Sequence, residues 1–136
     1  MNADHQFGLA WVALAAALAL HVFDEAATDF LSVYNPAVRE IRRRIPFLPL
    51  PTFTFGRWIT GLCLGVTLLF ALAPLAFHGE RWLVRFSYPL ALFMFANGFG
   101  HIAGSLYWRR LLPGVFSSPT LLAASVFLFL SARGIP

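Results

Sequence analysis

FGLAWVALAAALALHVFDEAATDF, residues 7–30, decides what kind of protein this chain can be. Residues 7–20 carry no charge, yet His21, Asp24, Glu25 and Asp29 then fall within nine positions. About 20 apolar residues are what a helix needs to cross a bilayer core. The rest of the chain decides whether this run is such a span or a buried helix in a soluble core.

The composition favours the span. Of 136 residues, 59 % are hydrophobic and 12 % charged, against roughly 25 % charged in a soluble domain. So small a chain has too much surface per unit volume to bury that many apolar side chains in water. Lipid is the expected solvent, and 136 residues suffice for four spans in one domain, 1–136. The expected fold is an all-α integral membrane four-helix bundle with spans at about 7–28, 55–77, 86–108 and 114–132. The last starts at Gly114 or at Ser118, being interrupted early by Ser117, Ser118 and Pro119. The opening MNADHQ has no positive n-region, so the first span is expected to be retained and not cleaved as a signal peptide.

Between the first two spans, YNPAVREIRRRIPFLPLP (34–51) predicts a short interfacial amphipathic helix over about 36–45. Asn35 would cap it, Pro36 would take its first position, and Val38, Ile41 and Ile45 would line one side opposite the arginines. The formal charge of +4 comes from ten arginines with no lysine, a usage typical of GC-rich bacterial genomes. Arg39, Arg42, Arg43, Arg44, Arg57, Arg109 and Arg110 fall on one side of the spans, and Arg81, Arg85 and Arg133 on the other. The positive-inside rule then puts both termini outside a bacterial cytoplasmic membrane, with the first and third connections in the cytoplasm. Arginines scattered between apolar runs speak against a nucleic-acid partner. The lone Cys63 excludes a disulfide framework or a CxxC site within one chain.

Ionisable residues inside spans are costly, about 2.5–3.5 kcal/mol for a central Asp on an insertion scale, so they tend to face one another or a wet cavity. The first span carries the i, i+4 row Ala13, Ala17, His21, Glu25, Asp29, with Asp24 on its flank. The third span carries Asn97, His101, Ser105, with Gly100 and Gly104 beside them to permit close helix approach. His21 lies 14 residues beyond Phe7 and His101 lies 15 beyond Phe86, roughly 21 and 22 Å of descent at about 1.5 Å per residue. The two imidazoles are therefore expected to meet. Arg57, Thr60, Gly61 and Cys63 of the second span and Ser117, Ser118 and Thr120 of the fourth should reach the same layer, in a pocket toward the cytoplasmic side.

Two histidines and carboxylates at one depth make either an acid–base site or a metal site. The preferred expectation is metal-free and needs no cofactor: His21 and Glu25 transfer protons, His101 is the second acid or base, Asn97 orients the substrate and Asp24 supports from behind. The alternative is one divalent ion, zinc or iron, held by His21, Glu25 and His101. Asp29 is expected to pair with Arg39 or Arg42 at a solvated helix end, while His5 and His78 lie outside the spans.

HVFDE (21–25), His101 and LLPG (111–114) together resemble the HXXEE-motif family of small integral membrane proteins, to which no function is assigned. That family's pattern is HXXEE in the first span, a second histidine, and Y-x-P-G shortly after. Here Asp24 replaces the first Glu and Leu111 stands where the tyrosine would be. The resemblance implies that His21, Asp24, Glu25 and His101 belong to one site, and it supplies no reaction. A looser chemical analogy is to emopamil-binding-type sterol isomerases, which also set a His and a Glu four apart on a membrane helix with an Asn opposite. It implies an isomerase or cyclase acting on an isoprenoid- or lipid-like substrate that enters from the bilayer. The rivals are a small proton-coupled transporter using Glu25, a homodimer as such exporters are, and a structural membrane subunit whose polar rows only lock helices together.

Overall fold

A computed structural model describes residues 2–135 as an all-α protein, with no strand among the described residues. Six helices follow in order: α1 (Ala3–Ala27), α2 (Phe30–Arg44), α3 (Phe55–Ala71), α4 (Ala73–Phe77), α5 (Arg81–Trp108) and α6 (Ser118–Ala132). Three helical stretches are long and apolar enough to cross a membrane: Ala3–Ala27, Phe55–Phe77 and Arg81–Trp108. The second is α3 and α4 joined at Leu72, with Pro74 in the first turn of α4 where its missing N–H is not needed.

α1 is the central post. It packs against α3, α4 and α6, while α5 packs most extensively on α6 and meets α1 through side chains such as Trp11 against Phe86. Phe7, Trp11 and Leu14 of α1 are buried with Leu83 of α5 and Leu121 and Leu128 of α6. The Trp11 indole N–H donates to Leu69 O at 2.8 Å, so its polar edge is satisfied inside the bundle. α3 keeps Leu64 and Leu68 exposed, the side a lipid chain would cover.

Several expectations need correction. α2 starts six residues before Pro36, which lies inside the helix. A proline there removes one N–H, and the preceding turn is held by other means: Phe30 stacks on Trp58 at 5.8 Å and Tyr34 on Phe53 at 5.9 Å. Asn35 is not a cap. Its amide donates to Phe53 O (2.9 Å) and accepts from Phe53 N–H (3.0 Å), clamping α2 to the segment that leads into α3. Asp29 takes a left-handed turn (φ 56°) that redirects the chain from α1 into α2, a conformation short polar side chains tolerate. Among the described residues it forms no ion pair; Glu40 pairs instead with Arg43 (2.9 Å) and Arg44 (2.8 Å).

α5 begins at Arg81, five residues before the expected 86, because long charged side chains end an apolar run without ending a helix. α6 begins at Ser118, the later of its two expected starts, since Gly114 has φ +83° and Pro119 occupies the first turn. Its 15 residues span only about 22 Å at about 1.5 Å each. Close approach of α5 and α6 depends on Gly98, where an added Cβ would lie 3.2 Å from Ser118 O. A Cβ at Gly100 would meet nothing, and Gly104 makes room for the Leu112 side chain.

Candidate functional site

The last two turns of α1, the second half of α5 and the loop before α6 converge on one buried cluster. His21 is 0 % exposed and Glu25 5 %; Asp24, His101, Ser117 and Ser118 are buried as well. Helical spacing places Glu25 one turn below His21, and its Oε1 stands 3.6 Å from His21 Nε2 and 3.1 Å from His101 Nε2. The two imidazoles meet edge to face, with ring centroids 4.9 Å apart and planes at 75°. Nitrogen and oxygen donors of His21, Glu25 and His101 all lie within 4.8 Å of one another.

The loop 111–117 closes the cluster from above. Leu112, Pro113 and Gly114 are buried, so their backbone groups need partners inside the protein. Serines supply them. Ser105 Oγ accepts from Leu112 N–H (3.0 Å) while donating to His101 O (2.7 Å), and Ser118 Oγ donates to Gly114 O (2.7 Å). Gly114 fits because it has no side chain: a Cβ would lie 3.0 Å from Glu25 Cγ, His101 Cε1 and His21 Cε1, on a backbone with φ +83°. Asp24 anchors the end of the loop, its Oδ2 accepting from both Ser117 N–H and Ser117 Oγ–H at 2.8 Å.

These contacts couple the tautomer of His21 to the direction of the Ser117 hydroxyl. The Ser117 hydroxyl hydrogen has two acceptors within reach, Asp24 Oδ2 (2.8 Å) and Gly114 O (3.2 Å). When it is used on one of them, Ser117 Oγ accepts from His21 Nδ1–H, 2.8 Å away. In that arrangement His21 carries its proton on Nδ1, and the Nε2 of the neutral ring is a bare lone pair. That atom has no hydrogen-bond partner among the described residues.

Beside the cluster lies a cavity of about 250 Å³ between α2 and α5. His101 and Asn97 line one wall, Phe30 and Val33 the other, and Pro113 lies at the back. His101 is thus the member of the cluster that forms the cavity wall; Phe30 also packs on its ring at 5.7 Å. Ala96 and Gly100 are exposed where the cavity reaches the surface, and Phe93 and Phe99 beside them are 67 % and 57 % exposed. The mouth is apolar.

Of the residues singled out in the sequence, the structure brings His21, Asp24, Glu25 and His101 together and sets Asn97 one turn from His101 in the cavity. It does not bring the second span's polar residues there. Arg57, Thr60, Gly61 and Cys63 are exposed on the outer side of α3, and it is Trp58 that turns inward onto Phe30. Thr120 is exposed too, whereas Ser117 and Ser118 face inward. The part played by Ser117, between His21 and Asp24, was not visible in the sequence; a serine beside a proline has many structural uses. Its one signal is a loop of apolar residues flanked by two adjacent hydroxyls.

Residues 11–128 match the family described as protein of unknown function with HXXEE motif. The match covers every residue of the cluster, and the chain belongs to this family. No curated protein and no solved structure matches the chain.

Proposed function

We propose that this protein is a membrane-embedded enzyme that moves protons on a lipophilic substrate, with His101 and Glu25 nearest the reacting atoms. One observation carries the reading: His101, 3.1 Å from a buried carboxylate, forms part of the wall of a cavity whose other lining residues are apolar except Asn97 and which reaches the surface at Ala96 and Gly100. A ligand entering there comes from hydrocarbon and meets an acid–base pair in a dry setting, where such a pair is most effective.

The remaining residues take supporting roles. His21, fully buried, acts through Glu25; Asp24 positions His21 by way of Ser117; Asn97, on the cavity wall, is placed to hydrogen-bond a substrate oxygen. The chemistry is of the isomerase or cyclase type, a proton added at one carbon and removed from another, on an isoprenoid- or lipid-like molecule. A channel-like proton-coupled exporter is less well supported, because Glu25 is enclosed by two imidazoles and the loop.

The setting is a bacterial cytoplasmic membrane, with α6 as a short fourth span. Its apolar character and the inward-folded loop that precedes it support this, since irregular backbone at membrane depth survives only where protein buries it. The arginine distribution supports termini outside and the cavity toward the cytoplasm.

The test is solvent-proton incorporation. Membranes containing the protein, incubated in D2O with the lipid extract of the host, should place deuterium on carbon in at least one lipid-soluble compound. His101→Gln should lower that rate about 100- to 10,000-fold, the usual worth of a general acid or base. Equal deuterium content with wild type, His101→Gln and empty membranes would overturn the proposal.

A further inference from the structure

The Nε2 of His21, buried and without a hydrogen-bond partner among the described residues, faces a carboxylate oxygen. Nitrogen lone pair and carboxylate are both acceptors, and an unpaired buried acceptor is costly. A shared proton fits the spacing poorly: Nε2 and Glu25 Oε1 are 3.6 Å apart, while N–H···O bonds run about 2.7–3.2 Å. A metal ion fits it better. Two ligand atoms each about 2.0–2.1 Å from one ion lie about 3.3–3.6 Å apart as the angle between them opens from about 109° to 120°. His101 Nε2, 3.1 Å from the same oxygen, supplies a third donor.

We propose that His21 Nε2, Glu25 Oε1 and His101 Nε2 bind one divalent transition-metal ion, zinc or ferrous iron in class, with an open position toward the cavity that His101 lines. The donor set of two imidazoles and one carboxylate suits those ions and not calcium or magnesium, which take oxygen. No thiol contributes, for Cys63 lies exposed on α3. The other nitrogen of His21 donates to Ser117, which donates on to the Asp24 carboxylate or to Gly114 O, an outer arrangement that fixes a ligating imidazole and raises its basicity. Gly114 closes one side of the space with a bare α-carbon. This goes beyond the proton-transfer reading and changes the proton carrier: His101 Nε2 and Glu25 Oε1 would hold the ion, and a water in its open position, its pKa brought near 7, would carry the proton in their place.

The experiment measures metal, not turnover, so it can fail while the enzymatic reading stands. Full-length protein in detergent is stripped with a chelator, reloaded with zinc, desalted and assayed for metal per chain. Wild type and Cys63→Ser should retain about one equivalent; His21→Gln, Glu25→Gln and His101→Gln should each retain under a fifth of that while remaining monodisperse. Ser117→Ala, a positioning change, should still saturate at one equivalent with affinity about 10- to 100-fold weaker. Where a ligand variant is not monodisperse, the wild type decides alone: its melting temperature should rise on zinc addition and fall back on chelation. Retention by wild type no greater than by the triple Gln variant, or a wild type whose metal content and melting temperature ignore zinc, would overturn the site.

Discussion

At Gly114 the backbone sits at φ +83° and three side-chain atoms from three different residues would lie 3.0 Å from any β-carbon, so conformation and space both demand glycine. Gly114→Ala should destabilise the protein by about 1–3 kcal/mol from the left-handed backbone alone, and should also push the His21 and His101 rings apart. Thermal unfolding in detergent reads the first effect; loss of zinc retention under the conditions above reads the second. An alanine variant as stable and as metal-competent as wild type would mean that the loop does not close on the cluster. At this scale the sequence was most legible where a residue was out of place: His21, Glu25 and His101 stood out because ionisable groups in apolar runs need a reason to be there. Ser117 and Gly114 did not, for their importance comes from a loop folding inward, and no local pattern announces that. Arg57, Thr60 and Cys63 misled for a related reason. They were singled out for their depth alone, but depth along a helix says nothing of which way the helix is turned, and Trp58 took the inward position.

Elements were legible in number and kind but less so at their ends. The three long apolar helices were expected from hydropathy, and their boundaries moved where charge and helix were treated as exclusive, as at Arg81 and Arg85. α2 is the instructive case. Asn-Pro reads as the start of a helix, yet the helix begins at Phe30, because aromatic stacking on Trp58 and Phe53 outweighs the hydrogen bond that Pro36 cannot make. Asn35 is left free to hold Phe53 through two hydrogen bonds. Replacing it, Asn35→Ala, should cost about 1–3 kcal/mol, two bonds at about 0.5–1.5 each. Hydrogen exchange at the Phe53 amide should accelerate by a factor of ten or more while exchange in α1 stays unchanged. An unchanged Phe53 rate would show that the clamp does not hold the segment.

For the whole molecule, α1 is the helix around which the others are arranged, and the polar cluster lies where its C-terminal turns meet the second half of α5 under the loop before α6. This juxtaposition followed from counting residues down two helices, since equal depth is a property of the chain and the bilayer together. Which helices pack most extensively could not be counted, and the close pairing of α5 with α6 came only with the three-dimensional arrangement. The proposed orientation is open to a direct check. In a Cys63→Ser background, His78→Cys in the α4–α5 connection should react with a membrane-impermeant maleimide on intact bacteria, and Arg110→Cys after α5 should react only once the cells are broken. The reverse pattern would invert the topology and put the cavity on the other side.

The joining of His21, Glu25 and His101 into one cation-binding centre is tested most directly by 15N spectroscopy of histidine-labelled protein, whose four imidazoles are His5, His21, His78 and His101. Two rings should show coordination shifts on one nitrogen each when one equivalent of zinc is added. One of these rings, removed from the spectrum by His21→Gln, should beforehand be the neutral Nδ1–H tautomer with a bare Nε2. Zinc shifts confined to the two histidines outside the helix core, His5 and His78, or a His21 protonated on Nε2 in the metal-free protein, would contradict it.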